Sequence, residues 1–179
     1  MADTFVALLR GINVGKAKRV AMADLRKLVE GLGYGDVRTL LNSGNVVFSV
    51  PKSARGDAAS RIEKAMAAEL GVSARVTVLP AAEVAAIVTD NPLRRMAKDP
   101  TRLFVAVIAT PADRALLKPL EKQDWAPDVL AASKRVAYLW CPNGMMDSRL
   151  SAEVNRALGD AVTTRNLATM TKLQALLES

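Results

Sequence analysis

The chain has 179 residues, 50% of them hydrophobic, with 25 basic against 18 acidic side chains and a net charge of +7, enough apolar material for one ordinary domain or two small ones. It contains no histidine and a single cysteine, which excludes a serine, histidine and aspartate triad, a histidine zinc site and an internal disulfide. No run approaches the roughly 18 apolar residues that span a bilayer, and Met1-Ala2-Asp3-Thr4 lacks the basic and then apolar start of a signal peptide, so a cytoplasmic location without a membrane partner is expected.

In chain order, Thr4 to Leu9 reads as an apolar strand, and Val20 to Leu32 as a helix with Met22, Leu25, Leu28, Val29 and Leu32 on one face. Asp36 to Leu41 and Val46 to Val50 form two strands around Asn42-Ser43-Gly44-Asn45, whose asparagines and glycine tolerate the positive φ of a tight hairpin. A helix from Ser53 to Leu70 is striped by Ile62, Met66 and Leu70 and stopped by Gly71, followed by a strand from Arg75 to Leu79 and a helix through Val84, Ile87 and Val88. Asp90 to Pro100, polar and bounded by prolines, reads as a linker, and Arg94, Arg95, Lys98 and Arg102 as its solvated charges.

The pattern then restarts. Arg102 to Ala109 is a strand, and Thr110-Pro111-Ala112-Asp113 opens a helix with threonine capping, proline first and aspartate reaching back. Leu116, Leu117 and Leu120 are its expected buried face. Val129 to Ser133 and Arg135 to Cys141 read as a second hairpin, Leu150, Val154 and Leu158 as a helix, Ala161 to Thr164 as a strand, and Leu167 to Leu177 as the last helix. Cys141, in the run Tyr138-Leu139-Trp140-Cys141, reads as a small buried hydrophobe rather than a reactive thiol.

This order is βαββαβ twice, a structural duplication of about ninety residues. The expected fold class is α+β: two tandem ferredoxin-like units, each an antiparallel sheet with a trailing helix, covering 1–90 and 102–179 with a linker at 91–101. In that topology the third strand lies between the first and second, giving the order 4-1-3-2. The loop leaving strand one and the turn leaving strand two then become neighbours, at an adjacent-strand spacing of about 4.8 Å.

Those two segments hold the candidate site. Arg10-Gly11-Ile12-Asn13-Val14-Gly15-Lys16 offers glycines, backbone amides near a helix start, and the cations Arg10, Lys16 and Lys18. Neither phosphate-loop pattern, G-x-x-x-x-G-K-[ST] or G-x-G-x-x-G, is present. Twelve basic and seven acidic residues fall within 1–80, so an anion is expected to meet this half. From the turn, Ser43 and Asn45 join the candidates, although asparagine and glycine also suit a plain hairpin. Thr164-Arg165-Asn166 ends the last strand and caps the last helix, with Thr164 or Asn166 supplying the capping oxygen. Arg165 is left over, either to fork an anion or to pair with an internal aspartate. Asp128, Asp147, Glu153 and Asp160 are scattered, so no metal site and no cofactor are expected.

The segments Leu8 to Gly15, Ser43 to Phe48, and Thr164-Arg165-Asn166 with Thr169 and Lys172-Leu173 are together similar to the hallmark elements of the domain of unknown function 1697 family of uncharacterised bacterial proteins. The resemblance implies a tandem α+β architecture and supplies no reaction, cofactor or substrate. Lys16, Leu40, Asn42 and Leu167 depart from the glycine, tyrosine, glutamine and aromatic residue common at those positions in the family.

Three functions follow in order. The first is a binding or regulatory module for an anionic small molecule, held by Arg10, Asn13, Lys16, Ser43, Asn45, Arg165 and Asn166. The second is single-stranded nucleic-acid binding, which the fold and charge suggest but for which the strands offer only Phe5 and Phe48. The third is an enzyme that stabilises developing charge with Arg10, Lys16 or Arg165 and no histidine or metal. It ranks last because no general base is in sight, and no motif specifies an oligomeric state.

Overall fold

A computed structural model describes residues 2–54 and 56–179. Its elements are β1 (Asp3–Leu9), α1 (Met22–Gly31), β2 (Gly35–Leu40), β3 (Asn45–Val50), α2 (Ala58–Ala65), β4 (Val76–Pro80), α3 (Ala81–Thr89), β5 (Leu103–Ile108), α4 (Lys118–Glu121), β6 (Val129–Ala132), β7 (Val136–Trp140), α5 (Arg149–Leu158), β8 (Val162–Asn166) and α6 (Leu167–Glu178). The strands form two four-stranded antiparallel sheets, ordered β2-β3-β1-β4 and β6-β7-β5-β8. Each is the expected 4-1-3-2 order read from the opposite edge, and the chain is α+β with two ferredoxin-like units. By contact density Met1–Ala85 with Leu173–Ser179 make one compact unit and Ala86–Lys172 the other. Among the described residues no helix is long and apolar enough to cross a membrane.

In the first unit, Ala7 and Leu9 of β1, Val46 and Phe48 of β3 and Val76 of β4 meet Leu25, Leu28 and Val29 of α1 and Ile62 of α2 in one buried cluster. Phe48 stacks on Tyr34 at 5.0 Å and on Phe5 at 6.0 Å between ring centroids. The opposite sheet face is equally withdrawn from water, with Val6, Leu8, Asn45, Val47, Thr77 and Leu79 all buried. An antiparallel sheet often leaves one face in solvent, and strands buried on both faces lose polar alternation. That is why β1 reads as the unbroken run Phe5-Val6-Ala7-Leu8-Leu9. Arg38 on the edge strand β2 donates from Nη1 to Ser179 Oγ at 2.6 Å, fastening the C-terminal residues of this unit.

Several boundaries move for identifiable reasons. Asp57 caps α2, accepting from Ser60 N at 3.3 Å, so the helix starts later than Ser53; Arg55 lies outside the described residues. Its last turn, Met66–Leu70, widens to a π-turn before Gly71, at φ 64°, ends it. Residues Pro111–Leu117 form a 3-10 helix that leads into α4. Pro119, with no N–H, prevents a regular α-ladder through that stretch. The tighter period aligns Leu117 with Leu120, both buried, and leaves Leu116 exposed, against the expected three-leucine face. Thr110 does not cap by accepting an amide: its hydroxyl donates to Asp113 Oδ2 at 2.6 Å. The eighth strand runs to Asn166 rather than stopping at Thr164, because its pairing with β5 continues through Val105↔Arg165 and Phe104↔Asn166. The proline-bounded segment before β5 includes Asn91, Leu93 and Ala97, all buried.

In the second unit Cys141 is fully buried, as its sequence setting implied. Its thiol donates to Ser148 Oγ at 3.4 Å, and burial pushes its pKa up. Tyr138 of β7 donates from its hydroxyl to the carbonyl of Ile87 in α3 at 2.7 Å. Burial first, and the charge of Asp90 second, push that phenol from 10.0 up to about 12. A phenol held neutral by folding contributes stability that is complete below the unfolded value and is lost as pH rises through the folded one. Tyr138→Phe, which leaves the Ile87 carbonyl without its donor, is therefore expected to cost about 1 kcal/mol near neutrality. The gap between native and variant should narrow as the pH of chemical denaturation climbs from 10 to about 12. A gap that stays constant across that window would show that the phenol is not held neutral by the fold.

Candidate functional site

The antiparallel register places Leu8 opposite Asn45, so the loop that leaves β1 and the turn that enters β3 emerge at one sheet edge. Two backbone bonds secure the loop's start: Leu9 N donates to Gly44 O at 2.9 Å, and Arg10 N donates to Arg75 O at 2.9 Å. The predicted proximity of the two segments is thus a hydrogen-bonded contact. Gly44 is required by the closeness of the approach. It sits at φ +89°, and a Cβ there would fall 2.8 Å from Ile12 Cδ1 and 2.9 Å from Leu9 Cβ.

Asn13 organises the loop. Its Oδ1 accepts from Val20 N at 2.8 Å, while its Nδ2 donates to Val20 O at 2.9 Å and to Asn42 O at 2.7 Å. Asn13 N also donates to Lys18 O at 3.0 Å, closing the small turn in which Val14 bridges Ala17. The geometry requires a left-handed backbone at Asn13, with φ 56°, which asparagine tolerates better than most residues. Among the described residues four non-glycines have positive φ, and three of them, Asn13, Lys18 and Leu41, lie in these two segments.

Between the segments opens a cleft of about 340 Å³ lined by Asn13, Arg19, Val20, Ala21 and Asn42. It lies at the start of α1, where Ala21 occupies the capping position and has no side-chain oxygen to offer. The first bond inside the helix is Leu25 N to Ala21 O at 3.0 Å, so the amides of Met22, Ala23 and Asp24 precede the helical ladder. Lys16, Lys18 and Arg19 are exposed around this end, as is the carboxylate of Asp24 in the first helical turn.

The expected site residues divide sharply. Asn13 lines the cleft, and Lys16 stands exposed at the tip of the small turn. Arg10 is half-buried at the loop's base. Ser43 is exposed, and its Oγ accepts from Asn45 Nδ2 at 2.9 Å. Asn45 is fully buried, and its amide also donates to Leu40 O at 2.8 Å, so it shapes the turn and presents no surface to the cleft. Asn166 caps α6 by accepting from Thr169 N at 2.9 Å. Arg165 is buried in β8 beside Val105, whose other neighbour in register is Tyr138. Its guanidinium donates to Thr164 O at 3.0 Å, and burial lowers its pKa from 12.5 to about 10. Arg19 and Asn42 line the cleft without having been singled out. A signal for Arg19 was present: Lys18-Arg19-Val20-Ala21 places cations before a helix start that lacks any capping residue. Phe48, buried and stacked in the core, offers no exposed platform for a nucleic-acid base.

Gly44→Ala is expected to lower stability by about 2 kcal/mol, since it combines a close contact with a positive φ that alanine disfavours. The denaturation midpoint measures this. A loss no larger than that of Gly33→Ala, where φ is likewise +89° but a Cβ meets nothing within 4 Å, would mean that the loop and turn are not tightly apposed.

The profile of a family described as protein of unknown function (DUF1697) matches residues 2–138. Among solved structures the chain is similar to that of the conserved bacterial protein SP0830 from Streptococcus pneumoniae, with a TM-score of 0.73 and 20% sequence identity over 99% of each chain. At that identity the likeness establishes a common fold and carries no activity with it. No curated protein matches the sequence. With the family profile covering most of its length, the chain belongs to the DUF1697 family of proteins of unknown function.

Proposed function

We propose that the first unit binds an anionic small molecule in the cleft at the start of α1. One observation carries this reading: Arg19 is the charged member of a five-residue lining that meets the amide end of a ten-residue helix with alanine at its cap. Amides left outside the helical ladder, the positive end of the helix dipole and a nearby guanidinium all favour negative charge. Lys16 and Lys18 add to the field, and Asp24 subtracts from it. Strained backbone at Asn13, Lys18 and Leu41 supports the assignment, because such conformations cost about 1–3 kcal/mol each and gather where a site depends on them.

The lining favours binding over catalysis. Asn13, Arg19, Val20, Ala21 and Asn42 include no carboxylate, thiol, hydroxyl or imidazole, so none of these side chains can take up a proton as a general base. Arg10 and Lys16 contribute to the attraction of an anion, whereas Asn45 contributes by holding the turn. Arg165 and Asn166 are left to their strand and cap.

A thermal-shift panel of organic phosphates and carboxylates tests the reading. At a concentration one hundred times its dissociation constant, a ligand adds about 2.7 kcal/mol to the folded state. At least one compound should raise the unfolding temperature, and Arg19→Ala should weaken it about tenfold, the effect of losing about 1.4 kcal/mol. A panel that leaves the native protein unmoved, or a response that Arg19→Ala leaves intact, would overturn the assignment.

A further inference from the structure

We propose that the free edge of β6 is the contact surface for a second copy of this chain, which adds its own β6 antiparallel to the first and joins two four-stranded sheets into one of eight strands. In an antiparallel ladder successive residues turn their backbone groups alternately toward and away from a given neighbour. Cys141 N donates to Arg102 O and Ile108 N to Arg135 O, so the odd-numbered residues along β7 bond β5. Ser133 N donates to Val136 O at 2.8 Å, so the even-numbered ones bond β6, through Ser133, Ala131 and Val129. Leu130 and Ala132 therefore turn their N–H and C=O groups outward. There β6 is the last strand, and among the described residues nothing hydrogen-bonds to those groups.

The other sheet edges are provided for. On β4, Glu63 Oε1 accepts from the outward Val76 N at 2.8 Å. On β8, the Arg165 guanidinium donates to the outward Thr164 O at 3.0 Å. On β2, the register shifts between Gly35 and Arg38, and Asp36 and Arg38 bring charge to the strand. Bulges, charges and covering groups are the means by which sheet edges avoid pairing with other chains. Val129-Leu130-Ala131-Ala132 carries no charge and no register shift, and its four side chains are half-buried.

Charge identifies the occupant as a second copy. Two β6 strands related by a twofold axis use both outward residues when Leu130 of each stands opposite Ala132 of the other, with Ala131 facing its own copy. Asp128 and Lys134 lie equally far from Ala131 on either side, so that register sets Asp128 against the partner's Lys134, and does so twice. Asp128 is half-buried and accepts from Ser148 Oγ at 2.6 Å, while Lys134 is exposed in the turn after β6. Opposite charges across antiparallel strands favour pairing, and like charges oppose it. The same operation on β2, whose outward residues are Val37 and Thr39, would set Arg38 against itself. Self-pairing is thus matched in charge at β6 and opposed at β2. Each outward pair exchanges two backbone bonds, roughly four in all, which makes the dimer weak and dependent on concentration.

Sedimentation equilibrium of the native protein, Ala132→Pro, Thr39→Pro and Lys134→Glu, each checked for folding by circular dichroism, tests the interface. The native protein should pass from monomer to dimer as its concentration rises and return toward monomer as salt is added, because exposed ion pairs are screened. Ala132→Pro deletes an outward N–H and no bond of the β6–β7 ladder, so it should leave a folded monomer. Thr39→Pro makes the equivalent change at the β2 edge and should leave the dimer intact. Lys134→Glu, at an exposed turn position, turns both cross-strand attractions into repulsions and should weaken the dimer several-fold. A native protein that stays monomeric at every concentration, a dimer that survives Ala132→Pro, or one that Thr39→Pro abolishes would overturn the proposal. If Ala132→Pro does not fold, Lys134→Glu decides: a dimer that it leaves untouched would overturn the register and the proposal with it.

Discussion

The pairing of β1 with β3 is the constraint on which the first unit depends. β1 is central, bonded to β3 on one side and β4 on the other, so its C-terminal end cannot move without disturbing both neighbours. Because the pairing is antiparallel and in register to Leu8↔Asn45, the loop after Leu9 must leave beside the turn before Asn45. Asn13 then converts proximity into a defined shape through its bonds to Val20 and Asn42. The cleft is a consequence of strand order: a one-residue slip would exchange the two sheet faces and put Asn45 where Val46 now packs.

The fold was legible because its signals are periodic and redundant. The apolar runs of β1 and β5, the striped helices and the repeated βαββαβ order all point to the same topology, and no single residue has to be read correctly. What escaped was local. Pro119 shortens a helix that leucine spacing alone suggests, and the resulting change of period turns Leu116 outward. The candidate site was legible as a place and less so as a set of side chains. Asn45 and Asn13 look equally suited to binding in the sequence, but one faces a closed sheet and the other a cleft. Facing depends on strand register, which residue type does not encode. Arg19 was overlooked because a cation in a loop is ordinarily only a solvated charge; what sets it apart is its place in the cleft lining with Ala21 at the helix cap.

The two halves place their helix caps alike. At the start of α5, the counterpart of α2, Ser148 accepts from Ser151 N at 2.9 Å and donates to Asp128 Oδ2 at 2.6 Å, just as Asp57 accepts from Ser60 N at the start of α2. At the start of α1 the capping position is an alanine, and cations surround it. A helix end satisfied by its own chain is a structural joint, whereas one without a capping side chain is available to something else. In the second unit the counterpart of α1 begins at Pro111, which has no N–H to offer, so two units of one topology do not imply two copies of the proposed site.

The way Asn13 distributes its hydrogen bonds bears on how discriminating the site is. Its amide is committed to Val20 and Asn42, so one of the two carboxamides in the lining serves the loop. What remains is a guanidinium, the Asn42 carboxamide, backbone amides and aliphatic surface, which reward charge and bulk more than a pattern of donors and acceptors. Recognition through apolar bulk separates close analogues by only about 10–200-fold, whereas a site that bonds each hydroxyl or amine of its substrate rejects the wrong one far more strongly. On the binding reading proposed above, a cleft built in this way would admit a class of anions rather than select one.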